Sequence, residues 1–575
     1  MVSAPEVLGS VSPWTWVLAG IGLYWLAVLW ARRAGLFPDY IGNQGPILTL
    51  HTRRFRDLLD RLAAPKRAWR AWGNLGVGIA LVVMVGSFLF LAFVAYAQLR
   101  DPQQPTAVNQ PQNFLVIPGV NDFLPLSVAP EIVFGLLVGL VVHEGGHGLL
   151  CRVGDIEIES VGLALLAVLP VGAFVEPDEA SRRAADRGDQ TRMFAAGVMN
   201  NFAVTILAFV LLFGPVVGAM VVAPGAAVGG AFPGSPAAEA GIDRGDRIVG
   251  VNGQDVAGNQ DLQSVLGSIS DREVTVAVDD GDGVRETTVR RSLLVTRVTR
   301  GTALGNGLDA NATITTVNGT TVHSESGLEA ALVEHPVATI EATRHTDEGV
   351  IRTTTTGPAG AAVVVADGGP AAQAGFPAGE LAVITAVGGE RVVSADGLAE
   401  VMDDTEPGQT VAVELYVDGE RRVREVTLGE HDDGHGLVGV GTIPGVSGVV
   451  TSDFGTELYP AGLYLEAVGG DFGGAPFWQQ VVLALQLPLA SLLGLPYNFA
   501  GFTGGIANFY EVRGVLGAFG GWAGFGLANL LFWTGWINLN LGLFNCIPAF
   551  PLDGGHILRT STEAIVSRLP VRDRR

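Results

Sequence analysis

Apolar runs and alternating runs divide this chain into two kinds of material. Residues 13–30 and 71–99 carry no charge, and each is about as long as the roughly 20 apolar residues needed to cross a bilayer. Residues 128–150 are apolar after Glu131 up to a polar cluster at their end, and 193–222 are again uncharged. All four stretches predict membrane-crossing helices. Between 223 and 430 the pattern changes to short segments of alternating apolar and polar residues broken by Gly, Asn and Asp, as half-buried strands and turns require. Two further uncharged runs follow, 472–510 and 515–552. Pro488, Pro496 and several glycines interrupt the first, which predicts an interfacial or re-entrant segment, whereas 520–545 predicts one more crossing. The expected fold is a polytopic α-helical membrane protein carrying a soluble α+β insert.

Residues 155–180 fit neither class. Pro170, Gly172 and Pro177 break a long helix, and β-branched alternation predicts a short β element, a hairpin or sheet embedded beside the core. Irregular backbone at that depth needs protein or a cavity to cover it, and a strand edge there could pair with an unwound peptide.

Charge placement orients the spans. Arg32, Arg33, Arg53, Arg54, Arg56, Arg61, Lys66, Arg67 and Arg70 crowd the segment between the first two, which makes it cytoplasmic by the positive-inside rule. The loop 101–127 is then external, the third span runs inward, and Arg182, Arg183, Arg187 and Arg192 fall inside again. The insert lies outside the cell and the basic tail, Arg559 to Arg575, inside. The first span has no basic segment before it and no evident small-residue cleavage site, so it reads as an anchor.

The insert repeats itself. GSPAAEAGIDRGDRIVGVNGQDV (234–256) is echoed by GGPAAQAGFPAGELAVITAVGGERV (368–392), with a worn copy, GLDANATITTVNGTTV, at 307–322. Each is followed by a polar helix-like stretch and a hairpin. This order resembles PDZ domains, which bind extended peptide by adding a strand to their sheet. The alternative is that some copies, the middle one above all, are spacers.

The chain is 48% hydrophobic with a formal net charge of −22, and its basic residues are arginines apart from Lys66. Such an acidic surface suits high salt, where screening weakens self-repulsion, and points to a haloarchaeal source; a basic partner is the alternative. No basic patch on the scale of a domain indicates nucleic acid. The two cysteines, Cys151 and Cys546, exclude a disulfide framework and a cysteine-based zinc site, and read as small buried residues.

Candidate chemistry begins in VVHEGGHGLL, 141–150. His143 and His147 are four residues apart, so on a helix both rings project from one face, where they can hold a zinc ion with Glu144 beside them as general base. Ionisable groups at membrane depth are costly and usually functional. A third ligand is needed. No second His-rich or Glu-x-x-x-Asp stretch offers one, but Asp553 stands alone at the end of the uncharged run 515–552, behind Pro548 and Pro551. Counting crossings puts it at the cytoplasmic depth of the two histidines.

His143-Glu144-Gly145-Gly146-His147, together with Asn545-x-x-Pro548-x-x-Pro551-Leu552-Asp553-Gly554, resembles the paired motifs of the site-2 protease family of intramembrane zinc metalloproteases. The resemblance covers 128–222 and 520–560, and the insert more loosely. It implies Zn2+ on His143, His147 and Asp553, Glu144 as the base, and single-span membrane proteins as substrates within the lipid bilayer. Gly197-Val198-Met199-Asn200-Asn201 matches a family Gly-Pro-x-x-Asn pattern with Val198 in place of the proline. Asn201 and Asn545 are thus candidates to hold the substrate carbonyl or its oxyanion, or else amides that pack helices together. Family members often carry a further span after the Asp motif; none follows before Arg575.

The expected organisation is a two-span anchor with its basic loop (1–127), the first half of the protease core (128–222), PDZ-like repeats (223–300, 301–357 and 358–430), a linker with an interfacial segment (431–519), and the second half of the core with its tail (520–575). The PDZ-like repeats would bind peptide segments outside and restrict access to the site. A non-catalytic PDZ scaffold with structural zinc is the alternative reading; a zinc transporter would need more polar spans.

Overall fold

The computed structural model describes residues 13–38, 40–51, 54–100, 117–119, 124–166, 169–346, 349–431, 433–470, 477–493 and 497–567. The external loop read at 101–127 lies mostly outside these residues, as do Arg53 and the tail from Arg568. Two compact units form: Met1–Met220 with Leu465–Thr503 and Val512–Arg575, and Val221–Tyr464 with Gly504–Glu511.

Among the described residues of the first unit, three helices are long and apolar enough to cross a membrane: Lys66–Arg100, Leu126–Val153 and Arg187–Ala219. The N-terminal run forms a helix of 21 residues, Pro13–Arg33. The motif helix (Ala129–Val153), the second core helix (Arg187–Leu211) and the helix Gly521–Asn545 pack on one another. Small buried residues on the second core helix, Ala195, Ala196 and Gly197, let its neighbours approach closely. Polar side chains then tie the helices: Asn200 donates to the Val142 carbonyl (3.2 Å) and accepts from the Trp72 indole (2.9 Å), while Thr205 donates to the Gly535 carbonyl (3.2 Å). Asn529, Asn538 and Asn540 leave Gly521–Asn545 outside the group apolar enough to span by composition, and Asn529 and Asn538 are buried.

The stretch 472–510 contains a ten-residue helix, Phe477–Gln486, too short to cross a bilayer. It and the residues after it lie along Gly521–Asn545. Trp536 donates to the Leu485 carbonyl (3.1 Å), Trp533 to the Ala500 carbonyl (3.0 Å), and the Asn529 amide exchanges two bonds with the Phe502 backbone.

Residues 155–180 form an antiparallel hairpin, β3 (Ile158–Leu166) and β4 (Leu169–Pro177), within a four-stranded sheet of order β1-β2-β3-β4. The other two strands, β1 (Ile41–Gln44) and β2 (Ile47–His51), come from the segment read above as a basic loop; Leu50 pairs with Leu163. The correction has a simple cause. ILTLH is a five-residue alternation flanked by arginines, so charge rather than period dominated its reading.

The second unit holds three six-stranded sheets with one strand order. In Thr410–Val417 every second residue, Val411, Val413, Leu415 and Val417, is buried, and Val274, Val276 and Val278 do the same in Glu273–Asp279. Each module has its own aliphatic core. Asn252-Gly253 and Asn318-Gly319 turn with φ of 48° and 78°, and 50° and 84°, as tight hairpins require of that dipeptide. The middle copy, worn in sequence, is complete in structure: Ile314, Val317, Leu328 and Ile340 fill it.

The modules are nested. The first, which starts at Ala226–Ala231, is closed by Thr456–Leu458; the second, which starts at Leu293–Val298, by Val449–Ser452; the third, which starts at Ala361–Val365, by Val440–Ile443. Residues 440–458, read from sequence as linker, thus supply an edge strand to all three sheets. A buried ion pair locks this return. Arg291, 0% exposed, holds Asp453 through Nε (3.1 Å) and Nη2 and donates to the Leu266 carbonyl, while the other Asp453 oxygen accepts the Glu325 backbone N–H (2.6 Å).

Candidate metal centre and active site

The motif helix carries both histidines to a buried position, with ring centroids 4.7 Å apart and nearly perpendicular. After Gly521–Asn545 the chain turns at Pro548 and Pro551 into a second helix, Asp553–Val566. Only glycine fits at 554: a Cβ there would sit 2.4 Å from the Ile547 carbonyl oxygen. This tight turn sets Asp553 against the histidines. Its Oδ2 lies 3.1 Å from His143 Nε2 and 3.3 Å from His147 Nε2.

The tautomers decide what those distances mean. His147 Nδ1 lies 2.8 Å from the Met193 carbonyl, which can only accept, so Nδ1 carries a proton and, in the neutral ring, Nε2 presents its lone pair to Asp553. His143 Nδ1 faces the Asn201 amide at 3.2 Å. Asn201 is wholly buried, and its Oδ1 has no partner among the described residues. Exchanging the amide's O and N places Oδ1 on a protonated Nδ1, which gives the amide oxygen a partner and, in the neutral ring, leaves the lone pair of His143 on Nε2. With both rings neutral, two nitrogen lone pairs and a carboxylate oxygen would repel one another at about 3 Å. A cation resolves that repulsion. Ligand atoms bound tetrahedrally to zinc at about 2.0–2.1 Å stand about 3.3 Å apart, which the observed separations match.

Glu144 lies beside this cluster, within 4.8 Å of the histidine ligand atoms. Its Oε2 accepts the Val175 N–H of β4 at 3.0 Å, so the embedded sheet aims the carboxylate. Between sheet and motif helix runs an apolar cavity of about 300 Å³, lined by His51, Glu144, Val161, Leu163 and Phe174 among others. Asn545 does not join the cluster: its amide donates to the Leu541 carbonyl (3.0 Å) in its own helix. Both cysteines are buried.

Two contributors went unread in the sequence, and Gly197, quoted there in its motif, was given no role. Gly197 faces the two rings, where a Cβ would sit 2.7 Å from His147 Nε2 and 2.8 Å from His143 Cε1. The Met193 carbonyl fixes a tautomer but carries no side-chain signal. His556 stacks on Phe194 (centroids 4.5 Å apart, 8° between planes) and braces the Asp553 helix, as does the bond from Thr191 to Thr560 (2.9 Å). Gly197 opens the motif noted at 197–201, so its place was legible in the sequence but its contact with the rings was not.

Residues 131–574 match peptidase family M50. The chain belongs to peptidase family M50. It is thus a peptidase of a metalloprotease family, the site-2 protease family that the two motifs resemble. An uncharacterized protein of Methanocaldococcus jannaschii is 29% identical over 146 residues, 25% of this chain and 38% of that protein. The M50 assignment and the apolar helices together make this a membrane protein.

Proposed function

We propose that this M50 chain is an intramembrane zinc metalloprotease that cleaves peptide bonds within or near the membrane-spanning segments of single-span proteins. The observation that carries the reading is the convergence of His143 Nε2 and His147 Nε2 on Asp553 Oδ2, beside a carboxylate aimed by a strand. His143, His147 and Asp553 would hold zinc, which supplies polarisation of the scissile carbonyl and acidification of a water. Glu144 takes the proton of that water and delivers it to the departing amine. Its tether to Val175 leaves Oε1 for this work. Asp553 and the two histidines, buried by the glycine turn and Gly197, exclude bulk water from the charges that develop.

Asn201 is assigned to orienting His143 rather than to the substrate carbonyl, since its amide is buried against the ring. Asn545, half-buried with one N–H committed, retains an N–H and an oxygen and is the candidate for the substrate carbonyl. The cavity lined by Val161, Leu163 and Phe174 would take an apolar side chain next to the scissile bond. A transmembrane helix hides its peptide groups in i to i−4 bonds, so the substrate must unwind locally before it reaches Glu144.

The three nested modules, PDZ-like in sequence order, are proposed to lie outside the cell and to admit mainly substrates whose external part has been trimmed. Cleavage of single-span reporters with long and short external domains, by the intact chain and by one lacking the whole insert, tests this. Equal cleavage of both reporters by the intact chain would end the gating reading.

A further inference from the structure

The third module carries a second constellation of metal-ligand type, remote in sequence from the motifs. His431, Asp433 and His435 stand at alternate positions of a tight turn, and one ligand atom from each lies within 4.8 Å of the others. Two backbone bonds close the turn: His431 N–H to the His435 carbonyl (3.0 Å) and Gly434 N–H to the His431 carbonyl (2.9 Å). Its base is fixed by pairing of Gly429 with Leu437 and of Glu430 with Gly436. The two imidazoles consequently stack, with centroids 4.3 Å apart and planes 12° from parallel. The Asp433 carboxylate lies 3.4 Å from His431 Nδ1.

We propose that this turn binds one divalent transition-metal ion of the imidazole-preferring class, Zn2+, Ni2+ or Cu2+. The protonation pattern of His435 is that of a ligand. In the neutral ring the proton sits on Nδ1, 3.0 Å from the Gly436 carbonyl that accepts it, and Nε2 carries the lone pair. That Nε2 is 3.8 Å from the Asp403 carboxylate, at the end of the helix Ala395–Asp403, so a second acid can complete the shell. Two imidazoles with one or two carboxylates favour these ions over Ca2+ and Mg2+, which take all-oxygen shells. His431 Nδ1 would exchange the Asp433 backbone N–H (3.3 Å) for the ion, and its ring is part-exposed. Because Asp403 and the turn belong to different elements, the bound ion would cross-link the module where its return strand, Val440–Ile443, begins.

The experiment uses the full chain in detergent, stripped of metal and titrated with Zn2+ and with Co2+ as an optical probe. Metal content is measured on wild type, on His143→Ala/His147→Ala, and on His431→Gln/His435→Gln. Wild type is expected to hold two ions and each double variant one. The Co2+ spectrum that survives in His143→Ala/His147→Ala is expected to vanish, with affinity down at least about tenfold, when the 431 and 435 substitutions are added. Retention of two ions by His431→Gln/His435→Gln overturns the proposal. So does absence of any ion from His143→Ala/His147→Ala whose insert melts as in wild type. The count of two rests on the zinc reading of the first site, whereas the ion lost with residues 431 and 435 does not.

Discussion

The amide of Asn201 lies 3.2 Å from Nδ1 of His143, and its amide oxygen has no other partner among the described residues. A buried amide against a ligand ring sets the ring's tautomer and plane, which is where zinc affinity is tuned. Asn201→Ala is expected to lower zinc affinity about 10- to 100-fold, measured by chelator competition, and activity is expected to recover at high zinc. A drop in kcat with zinc affinity unchanged would instead assign Asn201 to the substrate.

Gly197→Ala places a methyl group within 2.8 Å of both histidine rings. The expected result is loss of zinc and of cleavage with helical circular dichroism intact. Gly145→Ala is the control, because a Cβ at 145 meets nothing within 4 Å. Zinc retention by Gly197→Ala would show that the rings can retreat.

Inside the insert, burial and the neighbouring Asp453 push Glu325 from 4.5 up to about 8. Burial also raises Asp453, against the pull of Arg291. For an acid whose folded pKa is raised, the folded state holds the proton more tightly than the unfolded chain. Stability is then complete below the unfolded pKa near 4.5 and falls as pH rises through about 8. Glu325→Gln, which keeps the backbone N–H to Asp453 and an acceptor for Thr451, is expected to melt higher than wild type at pH 8–9. At pH 4–5 the two should converge. A variant that melts lower at every pH would contradict the account.

Nesting dictates how the insert can be removed. Excising 223–430 leaves Val440–Ile443, Val449–Ser452 and Thr456–Leu458 with no first strand to pair. Exposed unpaired strands invite association. That deletion is expected to aggregate, whereas excision of 223–460 is expected to remain monodisperse by size-exclusion chromatography in detergent. Monodispersity of both would show that the return strands are dispensable.

What the sequence disclosed, and what it hid, follows from where the information sits. His143, Glu144, His147 and Asp553 announce themselves because charge is rare in apolar runs, and the structure brings all four together. Repeated turn dipeptides such as Asn252-Gly253 and Asn318-Gly319 exposed the modular insert. The return strands at 440–458 are a few residues each and repeat no motif, so nothing in the linear order paired them with strands begun some 80 to 230 residues earlier. The β1–β2 hairpin was masked by its arginines. A carbonyl such as that of Met193, or the space left by Gly197, becomes readable only once helices are packed.

The central claim rests on Glu144. The most direct measurement is cleavage of a tagged single-span reporter by the purified wild type and by Glu144→Gln, with His143-dependent zinc assayed in both. The account predicts equal zinc and cleavage lower in the variant by a factor of about 10²–10⁴. Cleavage by Glu144→Gln at the wild-type rate, or cleavage by a chain holding no His143-dependent zinc, would contradict it.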